Sequence, residues 1–318
     1  RFPLSSLGFY SLLSLLQQLS ISLSFSFMGL AVLLFSLGFL PFPISAMTVE
    51  RKIVDPNSVE KLWSEMRGSR IQDVITPDNE GAVNEPPSTE YLTVVMISDT
   101  HCNLSKMIDQ NMIPYGDVLI HAGDITTYGD APELIKFNDE LGRLSHPHKI
   151  VIAGNHELGF DPEEDQSQRK DKYQGKGTAD GWKLLTNCTF LNDSSTIING
   201  VTFYGSSWHP LEGYPFYRPR EQLKEKWESI PNGVDVLITH SPPIGHLDLY
   251  PPVERWGCRY LLEKVEQLRP LLHVFGHVHH CYGAVKNEHT IFVNAASEKS
   301  SKDGFNRPLI AYIPKKNH

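Results

Sequence analysis

Residues 91–101, YLTVVMISDTH, run seven apolar or β-branched side chains straight into Ser-Asp-Thr-His, and residues 118–124, VLIHAGD, repeat the device. A short continuous apolar run of this kind reads as a strand buried on both faces, the pattern of a parallel sheet covered by helices. Working outward, the runs Lys149 to Ala153, Val201 to Tyr204, Val234 to Thr239 and His273 to Phe275 have the same character, each followed by a turn with Gly, Asp, Asn or His. Helical patterns lie between several of them, at Pro132 to Leu144, Arg220 to Ile230 and Arg259 to Leu268. The alternation predicts parallel β-α-β units, hence an α/β fold of mixed sheets flanked by helices. The last strands, Gly283 to Lys286, Thr290 to Asn294 and Leu309 to Tyr312, have no helices between them and predict an antiparallel finish.

The strand ends share one chemistry. Asp99 and His101 follow the first strand, Gly123-Asp124 the second, Gly154-Asn155-His156-Glu157 the third, His240 a later one and Gly276-His277-Val278-His279 another. In an open α/β sheet the C-terminal strand ends converge on one crevice, so these residues can meet despite their separation in sequence. Carboxylates, imidazoles and an amide oxygen suit Mn²⁺, Zn²⁺ or Fe. Two such ions about 3.5–4 Å apart clamp phosphoryl oxygens and acidify a water. One carboxylate must then serve both, and Asp124 is the natural bridge. Gly123, Gly154 and Gly276 are expected to let the backbone turn tightly beside the ligands.

Taken in order, D-x-H, G-D, G-N-H-E, H and G-H-x-H resemble the calcineurin-like metallophosphoesterase superfamily, over about Leu92 to Tyr312. The strings ISDTH, GDVLIHAGDIT, KFNDELG, KIVIAGNHE, THSPPIG and HVFGHVHHCYG resemble more closely still the animal metallophosphoesterase-domain-containing branch, itself similar to cyclic nucleotide phosphodiesterases. The resemblance implies an α/β/β/α sandwich of two mixed β-sheets. It also implies two divalent metals, one on Asp99, His101, Asp124 and His279, the other on Asp124, Asn155, His240 and His277. His156 would then act at the leaving group as proton donor or charge stabiliser. The implied substrate is a small phosphodiester, a cyclic nucleotide among them; a phosphomonoesterase, a nuclease or a metal-binding scaffold is the alternative. Glu157 departs from the Asp usual in cyclic nucleotide enzymes. Protein phosphatases carry Glu there, but also Asp-Arg-Gly after the bridging Asp, where this chain has Ile-Thr-Thr-Tyr-Gly.

Other signals are read as structural. His146, His148, His289 and His318 lie in polar or terminal stretches, and His121, inside a strand, is expected to support the site or the core rather than bind metal. His246 and His280 are near the site in sequence without an assigned role, and Cys102 is expected to be a packing thiol. The aromatic loop from Trp208, with Arg218 and Arg220 after it, either covers a sheet edge or offers Trp208 as a stacking wall and Arg218 as a phosphate contact. The polar run Glu163 to Gly177 reads as a surface insertion, its charges solvated.

Bulk properties bound the partners. The net charge is −8, and Arg1 is the only charge before Glu50, so the chain from Met47 carries 28 basic against 37 acidic residues. That disfavours nucleic acid as a partner. Cys102, Cys188, Cys258 and Cys281 have no CxxC spacing, which disfavours a structural zinc site and a disulfide scaffold. Of residues 1–46, 33 are Phe, Leu, Ser or Pro, residues whose codons can be all pyrimidine. We read them as an untranslated leader in frame, with the protein starting at Met47 and cytoplasmic. The alternative is a signal peptide or anchor over residues 28–46, which the sequons at Asn103, Asn187 and Asn192 would fit and which would add a membrane partner. Residues 47–90 are then an extension, with a short helix opened by Asp55-Pro56 and a linker from Thr76 to Pro87, ahead of a catalytic domain at 91–318.

Overall fold

The structure, a computed structural model, describes residues 62–66, 73–75 and 88–316, all within one compact unit, Val54–His318. The leader, the Asp55-Pro56 helix start and the Thr76–Pro87 linker lie outside the described residues. In chain order the elements are β1 (Asp73–Ile75), β2 (Tyr91–Ile97), α1 (Leu104–Asp109), β3 (Val118–His121), α2 (Ala131–Gly142), β4 (His148–Val151), β5 (Thr189–Phe190), β6 (Ser194–Ile198) and β7 (Val201–Ser206). There follow α3 (Arg220–Glu228), β8 (Val236–Thr239), β9 (Leu249–Tyr250), β10 (Glu254–Arg255), α4 (Arg259–Leu268), β11 (Leu272–Phe275), β12 (Gly283–Lys286), β13 (Ile291–Asn294) and β14 (Leu309–Pro314).

Two sheets carry the fold, one ordered β14-β2-β3-β4-β5 and the other β1-β12-β13-β11-β8-β7-β6. Their centres are parallel: β2-β3-β4-β5 in the first, β7-β8-β11-β13 in the second. Period-two alternation on the central strands sorts side chains into layers. Leu92, Val94, Met96, Val118 and Ile120 share one buried cluster with Val236, Ile238, Leu272 and Val274, so these faces meet between the sheets. The intervening residues Val95, Ile97, Leu119, Leu237 and Phe275 fall in a second cluster with Leu134, Phe137 and Leu141 of α2, Leu223 and Trp227 of α3, and Leu261 and Val265 of α4. The result is the expected α/β/β/α sandwich of two mixed sheets.

Helix α2 begins where its sequence says it should. The Glu133 carboxylate accepts from the backbone N–H of Tyr128 at 2.9 Å and of Asp130 at 3.4 Å, and Pro132 occupies the first turn, where no N–H is needed. Helix α4 ends on Arg269 in the left-handed region, φ 52°.

The antiparallel finish is only partly present. β12 is antiparallel to β13, and β14 to β2, but β13 joins β11 in parallel, and β14 lies in the other sheet. Two pieces of the stretch read above as an extension take part in the fold: β1 pairs antiparallel with β12, and Trp63 is buried with Ile244 and Leu262. The insertion is more than solvated surface. Arg169 is 4% exposed, its guanidinium paired with Glu164 at 2.5 and 2.6 Å and donating to the Lys176 carbonyl at 2.7 Å, and Tyr173 is also buried. The run lacks periodicity because it folds around a charge pair, not an apolar stripe.

Candidate metal centre

The C-terminal ends of β2, β3, β4, β8 and β11 do converge, and all eight residues singled out for metal or catalysis meet there. Three groups of donors each lie within 4.8 Å: Asp99, His101 and His279; Asp124, His240 and His277; and His101, Asp124 and His156. Asp124 belongs to two of them. Its Oδ2 is 3.8 Å from His101 Nε2 and 3.4 Å from His240 Nε2, while His279 Nε2 stands 3.3 Å from Asp99 Oδ1 and 3.4 Å from His101 Nε2. The Asn155 Oδ1 lies 3.0 Å from His240 Nε2, which places the amide oxygen beside the Asp124, His240 and His277 group.

The backbone holds these side chains in aim. His101, His156 and His240 each present Nδ1 to a carbonyl, of Thr126 at 3.2 Å, Thr127 at 2.8 Å and Ala122 at 2.9 Å. A carbonyl only accepts, so Nδ1 carries the proton and Nε2 is left to face a ligand. Asp99, His101, Cys102, Asp124 and His277 all have left-handed φ, between 41° and 69°. Such strain gathers where the surroundings over-determine it, commonly at functional sites. The glycines serve differently than expected. Gly123 does use φ 95°, but a Cβ on Gly154 would lie 2.3 Å from Asp124 Oδ1 and one on Gly276 would lie 2.0 Å from Asp99 Oδ2. There the need is room for a carboxylate, not a tight turn.

Glu157 ties two of these turns together. Its buried carboxylate accepts from the N–H groups of Gly154 (2.6 Å), Asp124 (3.0 Å) and Thr126 (2.9 Å) and from the Thr126 hydroxyl (2.9 Å). Burial, with the Asp124 charge beside it, pushes this carboxyl up to about 7, against the pull of its donors. The electrostatics call for positive charge. Burial opposes ionisation of His240, yet the Asp124 carboxylate raises the imidazole to about 9, and Asp99 raises His279 in the same way. Burial, with the His240 charge beside it, holds His277 well below its ordinary value. Oxygen and imidazole donors around an acidic centre fit a borderline divalent cation. Cys102 falls in none of the three donor groups, and burial pushes its thiol up to about 11.

His121 sits next to the centre without entering it. Its Nε2 meets the Thr100 hydroxyl at 2.9 Å, and burial lowers its pKa to about 3. His156 is walled by tyrosines that the sequence reading missed: Tyr173 and Tyr214 lie with ring centroids 5.9 and 5.7 Å from it and are joined to each other at 3.2 Å through their hydroxyls. No signal in the sequence brings positions 156, 173 and 214 together. The aromatic loop thus contributes Tyr214, while Trp208 and Arg218 are committed elsewhere. Trp208 is 5% exposed, its indole N–H donates to Asp193 at 2.7 Å, and Lys226 and Arg218 cover its ring. Arg218 donates to Glu163 at 2.6 Å and to Asp161 at 3.3 Å. Trp208 packs in the same buried cluster as Phe216 and Trp227, so its ring faces the core and the Lys226 and Arg218 cations.

Among the described residues no helix is long and apolar enough to cross a membrane. Residues 92–281 match the calcineurin-like phosphoesterase family. A UPF0046 protein of Caenorhabditis elegans is 49% identical over 273 residues, covering 85% of this chain and 92% of its own length. A second UPF0046 protein of that organism is 42% identical over 276 residues, covering 82% and 95%. The human metallophosphoesterase domain-containing protein 1 is 43% identical over 243 residues, covering 72% of this chain and 73% of its own. On its strand-end donors, its layered sheets and these matches, the chain belongs to the calcineurin-like phosphoesterase family.

Proposed function

We propose that the chain hydrolyses a phosphodiester, cyclic nucleotides included, on a pair of divalent metals held by Asp99, His101, Asp124 and His279 and by Asp124, Asn155, His240 and His277. Family membership implies a phosphate-ester hydrolase that binds divalent metals. The observation that favours a pair is the sharing of Asp124 between separate donor groups. When bound, two such cations supply positive charge to the phosphoryl oxygens and bring the pKa of a water towards neutrality. Asp124 offsets charge at the middle of the centre, and the Nδ1 tethers of His101 and His240 keep their Nε2 atoms aimed inward without cost at the moment of reaction. His156 is tethered in the same way and gripped by Tyr173 and Tyr214, so it can deliver a proton from one fixed nitrogen to the departing oxygen. A diester is preferred on the resemblance to the branch similar to cyclic nucleotide phosphodiesterases, and Ile-Thr-Thr-Tyr-Gly after Asp124, in place of the protein phosphatases' Asp-Arg-Gly, speaks against phosphoproteins.

The test is a panel of cyclic nucleotides, simple phosphodiesters, phosphomonoesters and phosphopeptides, assayed with Mn²⁺, Mg²⁺ and Zn²⁺ after chelation. Diester turnover that vanishes with chelator and returns with Mn²⁺ is the expected result. Turnover confined to monoesters would replace the substrate reading, and full turnover by metal-free protein would overturn the mechanism.

A further inference from the structure

The hairpin β9–β10 stands at the His277 end of the centre and plays no part in the chemistry above. Its root is fixed: Arg255 donates to the buried carboxylate of Asp248 at 2.6 Å, the other Asp248 oxygen accepts from the Gly257 N–H at 3.3 Å, and the Cys281 thiol donates to the Leu249 carbonyl at 3.1 Å. Its tip, Pro251 to Val253, is apolar and exposed, Val253 by 54%, and Leu249 at the root is exposed by 38%. Between root and tip, Tyr250 and Trp256 stack face to face with centroids 4.3 Å apart and planes 5° from parallel. The Trp256 ring lies 5.1 Å from that of His277, and Tyr250 meets His280 edge-on at 4.9 Å.

Both stacked rings are partly open to solvent, whereas the rings at the opposite end, Tyr173 and Tyr214, are buried around His156. The hairpin thus adds a stacked, partly accessible π surface at the His277 end of the centre, while Tyr128 is a partly open ring beyond Tyr173 at the other. Attack on phosphorus has no use for the stacked surface, and a substituent carried by a phosphate in the centre would lie within reach of it. We propose that Tyr250 and Trp256 form a wall that receives a planar aromatic group attached to the phosphate, so that the centre selects aryl- or nucleobase-bearing phosphates over alkyl ones. This rests on reading the Asp124 cluster as the phosphate site. Stacking on aromatic side chains is tolerant of which ring is offered, so the wall sets a class of substrate and not one compound.

The test uses probes that cannot be hydrolysed: benzylphosphonate and ethylphosphonate, alike in charge, titrated calorimetrically into the manganese-loaded full chain. Benzylphosphonate should bind about tenfold tighter, an ordinary return for one stacked ring. Trp256→Ala and Tyr250→Ala should each cut that preference severalfold, and Trp256→Phe should retain most of it. Equal affinities in the wild type would overturn the proposal, as would a preference that survives both alanine variants. Parallel loss of both phosphonates together with manganese would assign the rings to bracing His277. No preference, combined with self-association through the tip, would assign the hairpin to a contact between copies. Phosphonate preference without any ester turnover leaves the wall standing and fells the catalytic reading; turnover without preference does the reverse.

Discussion

His156 and Asp124 are one hydrogen bond apart, the His156 N–H donating to Asp124 Oδ1 at 2.8 Å, yet they should fail in different ways. His156→Ala should keep its metal content close to that of the wild type and lose about 100- to 10,000-fold in turnover of an alkyl diester, the usual cost of removing a positioned proton donor. The loss should be smaller for a nitrophenyl diester, whose leaving group needs no proton. Asp124→Asn should lose metal and activity together. Metal analysis beside kinetics on both esters reads this out, and a His156→Ala protein that arrives without metal would make His156 a ligand, consistent with its group beside His101 and Asp124. The residues bearing this chemistry were visible in the sequence because each follows an apolar run. Glu157 was visible only as a departure from a pattern. Its service to the N–H groups of Gly154, Asp124 and Thr126 depends on two loops meeting, which no single stretch encodes.

At the scale of elements, legibility followed burial. β2, α4 and β12 appear where their patterns place them, whereas the two-residue strands β5, β9 and β10 are too short for any period to show, and the exposed edge strand β6 lacks an apolar run. The insertion shows the same limit, since its order rests on Arg169 and Glu164, 1% and 3% exposed at their side chains. Arg169→Met should leave Glu164 buried and unpaired, a fault that typically costs about 3–5 kcal/mol and here falls on the segment alone. Trypsin should then cut faster at Lys170, Lys172 or Lys176, and turnover of the alkyl diester should drop as Tyr173 slackens against His156. The double variant with Glu164→Gln should recover part of both. Unchanged proteolysis would mean that the segment is held by something other than this pair.

Over the whole molecule, the centre takes Asp99, His101, Asp124, Asn155 and His156 from loops after strands of one sheet and His240, His277 and His279 from loops after strands of the other. A divalent cation held there would join the two sheets, and insofar as it binds the native state over the unfolded chain it should raise stability, by up to about 2.7 kcal/mol at a hundred times Kd. The expected observation is a Tm several degrees higher in Mn²⁺ than in chelator, with most of the difference gone in Asp124→Asn. Equal melting in both solutions would show that the donors are held without need of a cation. The placement of β14 has a consequence for how the protein is made. Among the described residues its one sheet neighbour is β2, and every residue pair of that ladder, from Leu309 with Met96 to Pro314 with Tyr91, joins strands far apart in the sequence. Roughly 200 residues separate the two strands, so at ~5–20 residues per second a ribosome leaves β2 without its outer neighbour for ~10–40 s. During that interval the nascent chain presents an unpaired apolar edge, the feature on which chaperones act and from which aggregates grow. Closure of that sheet thus waits for β14 to leave the exit tunnel.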